Sequence, residues 1–162
     1  MANIYLGLGS NISPEENLRI GVAELRRRYG DLQISAAYKS AALGFDGDDF
    51  LNVVVQLWSD ETPHAICAEI ELIHNLAGRE NRGSKWEARS LDIDMLLYND
   101  LVMDDRPVRV PRRDILKYSF VLRPLAELAP ELVHPVTGNT ILSHWQKFDA
   151  ASHPLEVFSV DL

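Results

Sequence analysis

Two aspartates one residue apart are the part of the sequence best suited to chemistry. Asp92 and Asp94 flank Ile93 within residues 91–98, an apolar run that predicts a β-strand. Alternate residues of a strand share one face, so the two carboxylates are expected to point the same way while Leu91 and Ile93 point into the core. Proteins commonly hold magnesium with one or two carboxylates and substrate phosphates. The pair therefore predicts a magnesium site, with a solvated strand face or pairing with nearby arginines as the alternative.

Basic residues flank this aspartate pair on both sides. Residues 106–123 carry six basic residues and one acidic residue, although the whole chain has a formal net charge of −8. Guanidinium groups bind phosphate oxygens through two hydrogen bonds, and a metal with arginines recurs in phosphoryl transfer. The pattern favours a polyphosphate site over a solvated basic face or internal pairing with acidic residues. The upstream basic residues are Arg79, Arg82, Lys85 and Arg89, and the downstream ones are Arg106, Arg109, Arg112, Arg113, Lys117 and Arg123.

Several other kinds of site have no support in the sequence. Residues 7–10 lack the third glycine of a dinucleotide-binding fingerprint, and the chain has neither a P-loop nor the nucleophile elbow of a serine hydrolase. The five histidines lack zinc-ligand spacing, and Cys67 falls within a predicted helix, where packing is its expected role. Magnesium and phosphate chemistry is what remains.

Length and composition bound the class of protein. The 162 residues favour one domain, which we expect to span residues 1–162. No apolar run approaches the roughly 18–20 residues of a membrane span. A single cysteine and a start without the features of a signal peptide lead us to expect a cytoplasmic protein. The acidic net charge has the wrong sign for a non-specific nucleic-acid binder, so neither nucleic acid nor membrane is expected as a partner.

The elements that must position these residues follow the order β, α, β, β, α, β. Strands are predicted at residues 4–8, 33–40, 50–58, 91–98 and, as a short edge strand, 108–111. Ser13-Pro14 and Thr62-Pro63 each combine an N-cap residue with a proline at the first helical position, so both predict helix starts. A short helix and a turn-rich tail are predicted beyond Phe120. The order predicts an α+β fold, a ferredoxin-like sandwich of a mostly antiparallel sheet with helices packed on its faces.

Residues 86–94, Trp-Glu-Ala-Arg-Ser-Leu-Asp-Ile-Asp, resemble the W-x-x-R-x-L-D-x-D signature of the 6-hydroxymethyl-7,8-dihydropterin pyrophosphokinase family. Further matches follow the family's order and cover nearly the whole chain; they lie at residues 5–11, 50–52, 78–79 and 120–125. The resemblance implies a ferredoxin-like fold and a reaction of folate biosynthesis. In that reaction pyrophosphate passes from ATP to the hydroxymethyl group of the pterin, and AMP is released.

The resemblance also implies a role for each matching residue. Asp92 and Asp94 would hold two magnesium ions that bridge the phosphates of ATP, and Arg79 and Arg89 would steady the transferred group. Asn52 would hydrogen-bond the pterin ring. The residues implied in ATP binding are Lys85, Trp86, Arg112, Arg113 and Lys117, and those implied in pterin binding are Leu43, Phe50, Asn52 and Phe120.

The chain departs from the family pattern at three positions. Arg112 stands where the family usually has histidine, Tyr118 where an arginine is common, and His74 where a glutamate is common. Arginine cannot donate and accept protons near neutral pH, whereas histidine can. Two alternatives therefore stay open: a divergent paralogue that binds pterin or nucleotide with little transfer, and an enzyme for a related acceptor. We expect a monomer, with an oligomer left open.

Overall fold

A central antiparallel sheet carries the candidate site. The computed structural model describes residues 1–42, 47–78 and 90–162. The strands are β1 (Ala2–Ser10), β2 (Gln33–Ile34), β3 (Ala37–Ser40), β4 (Phe50–Ser59), β5 (Asp92–Tyr98), β6 (Met103–Asp105), β7 (Val108–Val110) and β8 (Glu156–Phe158). The sheet has the order β5-β1-β4-β3-β8, β2 also pairs with β4, and β6 and β7 form a separate two-stranded sheet. The strand pairs are antiparallel.

Helices cover both faces of the sheet. They are α1 (Pro14–Tyr29), α2 (Pro63–Leu76), α3 (Asp114–Lys117), α4 (Ser119–Leu128) and α5 (Ile141–Lys147), with a 3-10 turn at Ala150–Ser152. Leu18 of α1 and Ile66 of α2 share one core with Leu6 of β1. Leu122 of α4 packs in a second core with Val54 of β4. Because the two crossing helices lie on one face and α4 on the other, the predicted α+β sandwich is confirmed.

The predicted helix starts are correct, but only one has the predicted cap. Thr62 Oγ1 accepts a hydrogen bond from the Ala65 N–H at 3.2 Å, as an N-cap should. Ser13 precedes α1 with φ 41° and makes no side-chain cap hydrogen bond. Its carbonyl instead accepts from the Asn17 N–H at 3.0 Å. Proline at the first helical position is thus the signal that both helices share.

The predicted strand at residues 33–40 is interrupted in the middle. Ser35 Oγ accepts a hydrogen bond from the Val54 N–H at 2.9 Å. The Ala36 N–H donates to Glu127 Oε2 at 2.9 Å, which takes that amide out of the strand ladder. A serine side chain that competes for backbone partners, together with a carboxylate from α4, therefore divides the run into β2 and β3.

Three further elements differ from the sequence-based expectations. The predicted edge strand at residues 108–111 is β7, which pairs with β6 and forms no edge of the main sheet. Phe120 lies within α4 and does not precede it. The turn-rich tail contains α5 and also β8, which pairs with β3. None of the described helices has the length and apolar character needed to cross a membrane.

Candidate active site

A row of paired residues crosses the sheet at one end. Gly9 of β1 is paired with Asn52 of β4 on one side and with Asp92 of β5 on the other. Asp94 is paired with Gly7, one pleat further along the same strands. Directly paired residues place their side chains on the same face of a sheet, so the carboxylates and the amide share a face. Because the residue paired with both Asp92 and Asn52 is Gly9, no side chain of β1 stands between them.

The alternation along β5 orients its two aspartates. Ile93 is buried, whereas Asp92 and Asp94 are partly exposed. Ile93 packs in the core under α1 and α2, so the carboxylates point to the opposite face, where α4 lies. Carboxylate oxygens are hard ligands, and a pair of them on one face suits a magnesium ion that also takes phosphate oxygens. The residues present therefore fit the predicted metal.

Arg112 lies beside this aspartate pair. Its Nη2 is 3.3 Å from Asp94 Oδ1, and its Nε is 3.5 Å from Asp114 Oδ2. The Arg112 N–H donates to the Leu96 carbonyl at 2.9 Å, which fixes the backbone against β5. Burial lowers the pKa of Arg112, but the carboxylates of Asp94, Asp114 and Asp92 outweigh burial and raise this pKa above its ordinary value. The guanidinium is therefore charged throughout the physiological range.

The other two predicted basic residues of this region are more peripheral. Arg113 and Lys117 bracket the short helix α3, and both are exposed. Lys117 Nζ lies 5.2 Å from the ring centroid of Tyr118. The structure thus brings Arg112 to the aspartates and leaves Arg113 and Lys117 on the surface nearby.

Asn52 is held in one orientation by two acceptors. Its Nδ2 donates to the Tyr38 carbonyl at 3.1 Å and to Ser40 Oγ at 2.8 Å, and the residue is only 6% exposed. With both N–H groups used, Oδ1 lies 3.2 Å from the position that a Cβ on Gly9 would take. The side chain therefore presents a hydrogen-bond acceptor above Gly9.

Of the two aromatic residues predicted to bind the pterin, Phe50 lies beside Gly9, and Phe120 lies on α4. Phe50 lies two residues before Asn52 on β4, and its Cδ1 is 3.8 Å from the position of a Cβ on Gly9. Phe120 lies in the first turn of α4, the helix that covers this face of the sheet. The Phe120 ring stacks on that of Tyr118, with centroids 4.9 Å apart and planes inclined by 17°. Aromatic rings such as these suit the binding of a flat heterocycle.

A family model described as 7,8-dihydro-6-hydroxymethylpterin-pyrophosphokinase (HPPK) matches residues 5–130. The chain belongs to this family. The HPPK resemblance carried by residues 86–94 and the flanking motifs is therefore confirmed. Members of the family are ATP-dependent diphosphotransferases of folate biosynthesis, so the predicted enzyme class and reaction are confirmed with it.

Named relatives match the HPPK chain over most of its length. The 2-amino-4-hydroxy-6-hydroxymethyldihydropteridine pyrophosphokinase of Aquifex aeolicus is 34% identical over 138 residues, which cover 84% of this chain and 86% of the relative. The protein of the same name from Methylorubrum extorquens is 35% identical over 153 residues, which cover 92% and 95%.

Solved structures share the fold of this HPPK chain. A crystal structure of Plasmodium falciparum HPPK-DHPS has a TM-score of 0.72 at 13% identity. The match covers 91% of this chain and 43% of the Plasmodium chain, so our chain spans less than half of that longer protein. A crystal structure of the same protein with pterin and p-hydroxybenzoate gives a TM-score of 0.74 at 14% identity. Identities this low establish the fold alone.

Three residues of this HPPK site escaped the sequence analysis as functional candidates. Gly9 separates the aspartates from Asn52, and Ser40 accepts one of the Asn52 N–H groups. His74, noted only as a departure from the family pattern, accepts a hydrogen bond from the Ile93 N–H between the two aspartates. For Gly9 the sequence carries a signal, which is the alternation of glycine with apolar residues within residues 5–9. The other two depend on tertiary contacts, which are the pairing of β3 with β4 for Ser40 and the contact of α2 with β5 for His74.

Some predicted HPPK site residues lie outside the described residues. They are Leu43, Arg79, Lys85, Trp86 and Arg89. Their roles remain predictions.

Proposed function

We propose that this protein transfers pyrophosphate from ATP to the hydroxymethyl group of 6-hydroxymethyl-7,8-dihydropterin at the face that carries Asp92, Asp94 and Asn52. Family membership supplies the reaction. The single observation that carries the residue assignment is the strand register, which puts Asn52 and Asp92 on either side of Gly9 on one face. The products are AMP and the pterin diphosphate.

Asp92 and Asp94 are the residues that would hold magnesium, and we propose two ions for this site. Within the described ranges, no group of three or more His, Cys, Asp and Glu side chains could hold a metal ion. Phosphate oxygens of ATP are therefore expected to complete the coordination, as is common for magnesium. When bound, magnesium would neutralise charge on the polyphosphate as negative charge moves to the departing AMP.

Arg112 is the cation that we assign to the phosphates. Its guanidinium already lies against Asp94, so ATP bound at the aspartates would lie within its reach. Guanidinium groups form strong charge-assisted hydrogen bonds with phosphate oxygens. We assign supporting positive charge to Arg113, which precedes α3, and to Lys117, the last residue of that helix. Outside the described residues, we assign Lys85 and Trp86 to the nucleotide, and Arg79 and Arg89 to the transferred group.

Asn52 is the residue that would recognise the polar edge of the pterin. Its Nδ2 is used by Tyr38 and Ser40, so Oδ1 above Gly9 would accept a hydrogen bond from a ring N–H or amino group. Phe120 would stack on the ring, and Phe50 would line the pocket with Leu43. A buried, preoriented amide beside aromatic rings is a specific receptor for a flat heterocycle.

The chemical step follows from this placement. The hydroxymethyl oxygen attacks the β-phosphorus of ATP, and a new oxygen–phosphorus bond forms as the hydroxyl proton is lost to solvent. The bond from that phosphorus to the oxygen shared with the α-phosphate breaks, and AMP leaves with that oxygen. The attacking and departing oxygens must lie in line. Holding two substrates on one sheet face in this arrangement contributes much of the rate, because it replaces a random encounter.

We also propose that residues 1–162 act as one monomeric, cytoplasmic domain. The tail supports a single domain because β8 pairs with β3. Arg19 Nε donates to the Asp161 carbonyl at 3.0 Å, and Arg26 Nη2 donates to the Leu162 carbonyl at 3.2 Å. These contacts attach the tail to α1 and to the edge of the sheet.

Nucleotide product analysis tests the proposal. Purified protein is incubated with magnesium, ATP and 6-hydroxymethyl-7,8-dihydropterin, and the nucleotides are separated by chromatography. We expect AMP that depends on the pterin. ADP would mean transfer of the terminal phosphate and would contradict the proposal. Ligand binding without any product would favour a divergent binding paralogue, and AMP with another hydroxymethyl heterocycle alone would indicate a different acceptor.

A further inference from the structure

A buried histidine of α2 contacts the backbone of β5 between the two aspartates. His74 is 2% exposed, and its Nε2 accepts a hydrogen bond from the Ile93 N–H at 2.8 Å. Its Nδ1 lies 3.0 Å from Glu71 Oε1, one turn earlier on the same helix. Because Nε2 accepts, the ring proton of a neutral His74 lies on Nδ1 and is donated to the Glu71 carboxylate. Glu71 therefore fixes the tautomer and the orientation of the ring.

The hydrogen bond between His74 and Ile93 joins α2 to β5, which is an edge strand of the main sheet. β5 ends the main sheet, and among the described strands its sheet neighbour is β1. Outward N–H groups of an edge strand lack a ladder partner unless another element supplies one. His74 supplies the partner for Ile93. Further along β5 the Leu96 carbonyl accepts from the Arg112 N–H.

The position of Ile93 makes this contact relevant to the site. Its side chain is buried on the α1 and α2 face, and its neighbours Asp92 and Asp94 point to the opposite face. The backbone between the aspartates is thus fixed by the buried side chain and by the His74 hydrogen bond. Rotation of the peptide group between Asp92 and Ile93 would move both carboxylates.

We propose that His74, oriented by Glu71, is a positioning residue that holds Asp92 and Asp94 in the arrangement required for magnesium and ATP. This inference rests on the proposed function of the site. A core histidine with a structural role only would affect stability, whereas a positioning residue also affects metal affinity. Partners that orient metal ligands from behind typically contribute about 10–100-fold to metal affinity or activity.

Glu71 offers a separate way to test the inference. Its side chain is 70% exposed, so its removal leaves no cavity in the core. An effect of Glu71→Ala on metal binding would therefore come from the His74 ring or from the lost carboxylate charge. An effect of this kind would not follow from a loss of core packing.

The experiment measures Mn²⁺ affinity in the presence of ATP by electron paramagnetic resonance, together with thermal melting, kcat and the KM for the pterin. Glutamine places a carboxamide oxygen the same number of bonds from Cα as Nε2, so His74→Gln can keep the acceptor. His74→Leu removes it. Ile70→Val is the matched control, because Ile70 is buried on the same helix and leaves His74 in place.

We expect His74→Leu to lower Mn²⁺ affinity and kcat by about 10–100-fold, with a smaller change in the KM for the pterin. His74→Gln should recover most of the loss, and Glu71→Ala should lower Mn²⁺ affinity several-fold. Ile70→Val should lower the melting temperature without changing Mn²⁺ affinity. Wild-type Mn²⁺ affinity in His74→Leu or in Glu71→Ala would overturn the inference. If His74→Leu does not fold, Glu71→Ala and His74→Gln decide the matter on the same readout.

Failure of the proposed function gives a different result. If the wild-type protein binds Mn²⁺ and ATP but forms no pterin-dependent AMP, the reaction assignment fails. The positioning role is then judged on Mn²⁺ affinity alone. If the wild-type protein binds no Mn²⁺ with ATP, both are overturned.

Discussion

Arg112 and Asp94 form an ion pair, with 3.3 Å between Nη2 and Oδ1. The same guanidinium lies 3.5 Å from Asp114 Oδ2. A metal ion at Asp94 would compete with Arg112 for this carboxylate, whereas the phosphates of ATP would attract both cations. The pair thus links metal binding to nucleotide binding through one side chain.

Replacement of Arg112 by methionine should separate these two effects. We expect Arg112→Met to increase the affinity for Mn²⁺ in the absence of nucleotide, because a competing cation is lost. The KM for ATP should rise about tenfold, since a hydrogen bond to a charged group contributes roughly 1.5–3 kcal/mol. Calorimetry and steady-state kinetics measure the two quantities. Arg109→Met removes an exposed pair with Asp104 and should change neither one; equal effects in both variants would refute a specific role for Arg112.

The aspartates should be required for turnover but not for folding. Asp92→Asn and Asp94→Asn keep size and lose the charge that attracts magnesium, so kcat/KM should fall by on the order of 10²–10³-fold. Circular dichroism should show an unchanged fold, because both side chains are partly exposed. Near wild-type turnover in both variants would contradict the site assignment.

Gly9 should be sensitive to a single methyl group. A Cβ at Gly9 would lie 3.2 Å from Asn52 Oδ1, which is a tight contact with a held side chain. We expect Gly9→Ala to raise the KM for the pterin about tenfold, because the added methyl group would displace the Asn52 amide, which is proposed to bind the pterin. A Cβ at Gly7 would instead meet the Leu96 side chain at 3.4 Å, an ordinary contact. Gly7→Ala should therefore leave pterin binding unchanged, and a similar defect in both variants would contradict the role of Asn52.

The Tyr38 hydroxyl should make the free energy of unfolding depend on pH in the alkaline range. It donates to Glu127 Oε1 at 2.6 Å. Burial, followed by this hydrogen bond, raises the pKa of Tyr38 to about 12 from its ordinary value of 10.0. A pKa raised on folding means that the contribution to stability is complete below about pH 10 and is lost as the pH rises toward 12.

Tyr38→Phe should isolate that contribution. We expect its free energy of unfolding to be about 1 kcal/mol lower at neutral pH, because one partly buried hydrogen bond is lost. The difference between the variant and the wild-type protein should shrink above about pH 10. Denaturant titrations at several pH values measure it. A difference that stays constant between neutral pH and about pH 11.5 would contradict the raised pKa.

Local sequence signals predicted the elements whose causes are local. Proline after an N-cap residue predicted the starts of α1 and α2, because the first helical turn needs no N–H from that proline. Alternation predicted that Asp92 and Asp94 share a face opposite Ile93, because side chains in a strand alternate regardless of the partner strand. The family motif at residues 86–94 added the reaction, which spacing alone left open.

Elements that depend on distant partners were beyond these local signals. Ser35 and Ala36 interrupt the predicted strand because Val54 and Glu127 compete for their hydrogen bonds. The tail forms β8 because the edge of β3 is available to pair with it, although residues 156–158 show no strong strand pattern.

For the site as well, some features follow from the sequence and others from the tertiary structure. The sequence determined the residue types, the shared face of the two aspartates and the family whose chemistry they serve. Only the tertiary structure decided that Gly9 stands between Asp92 and Asn52, that Ser40 orients Asn52, and that His74 reaches the Ile93 N–H. The physical reason is that register and edge contacts are set by packing between segments far apart in the chain, whereas periodicity and helix capping act within a few residues.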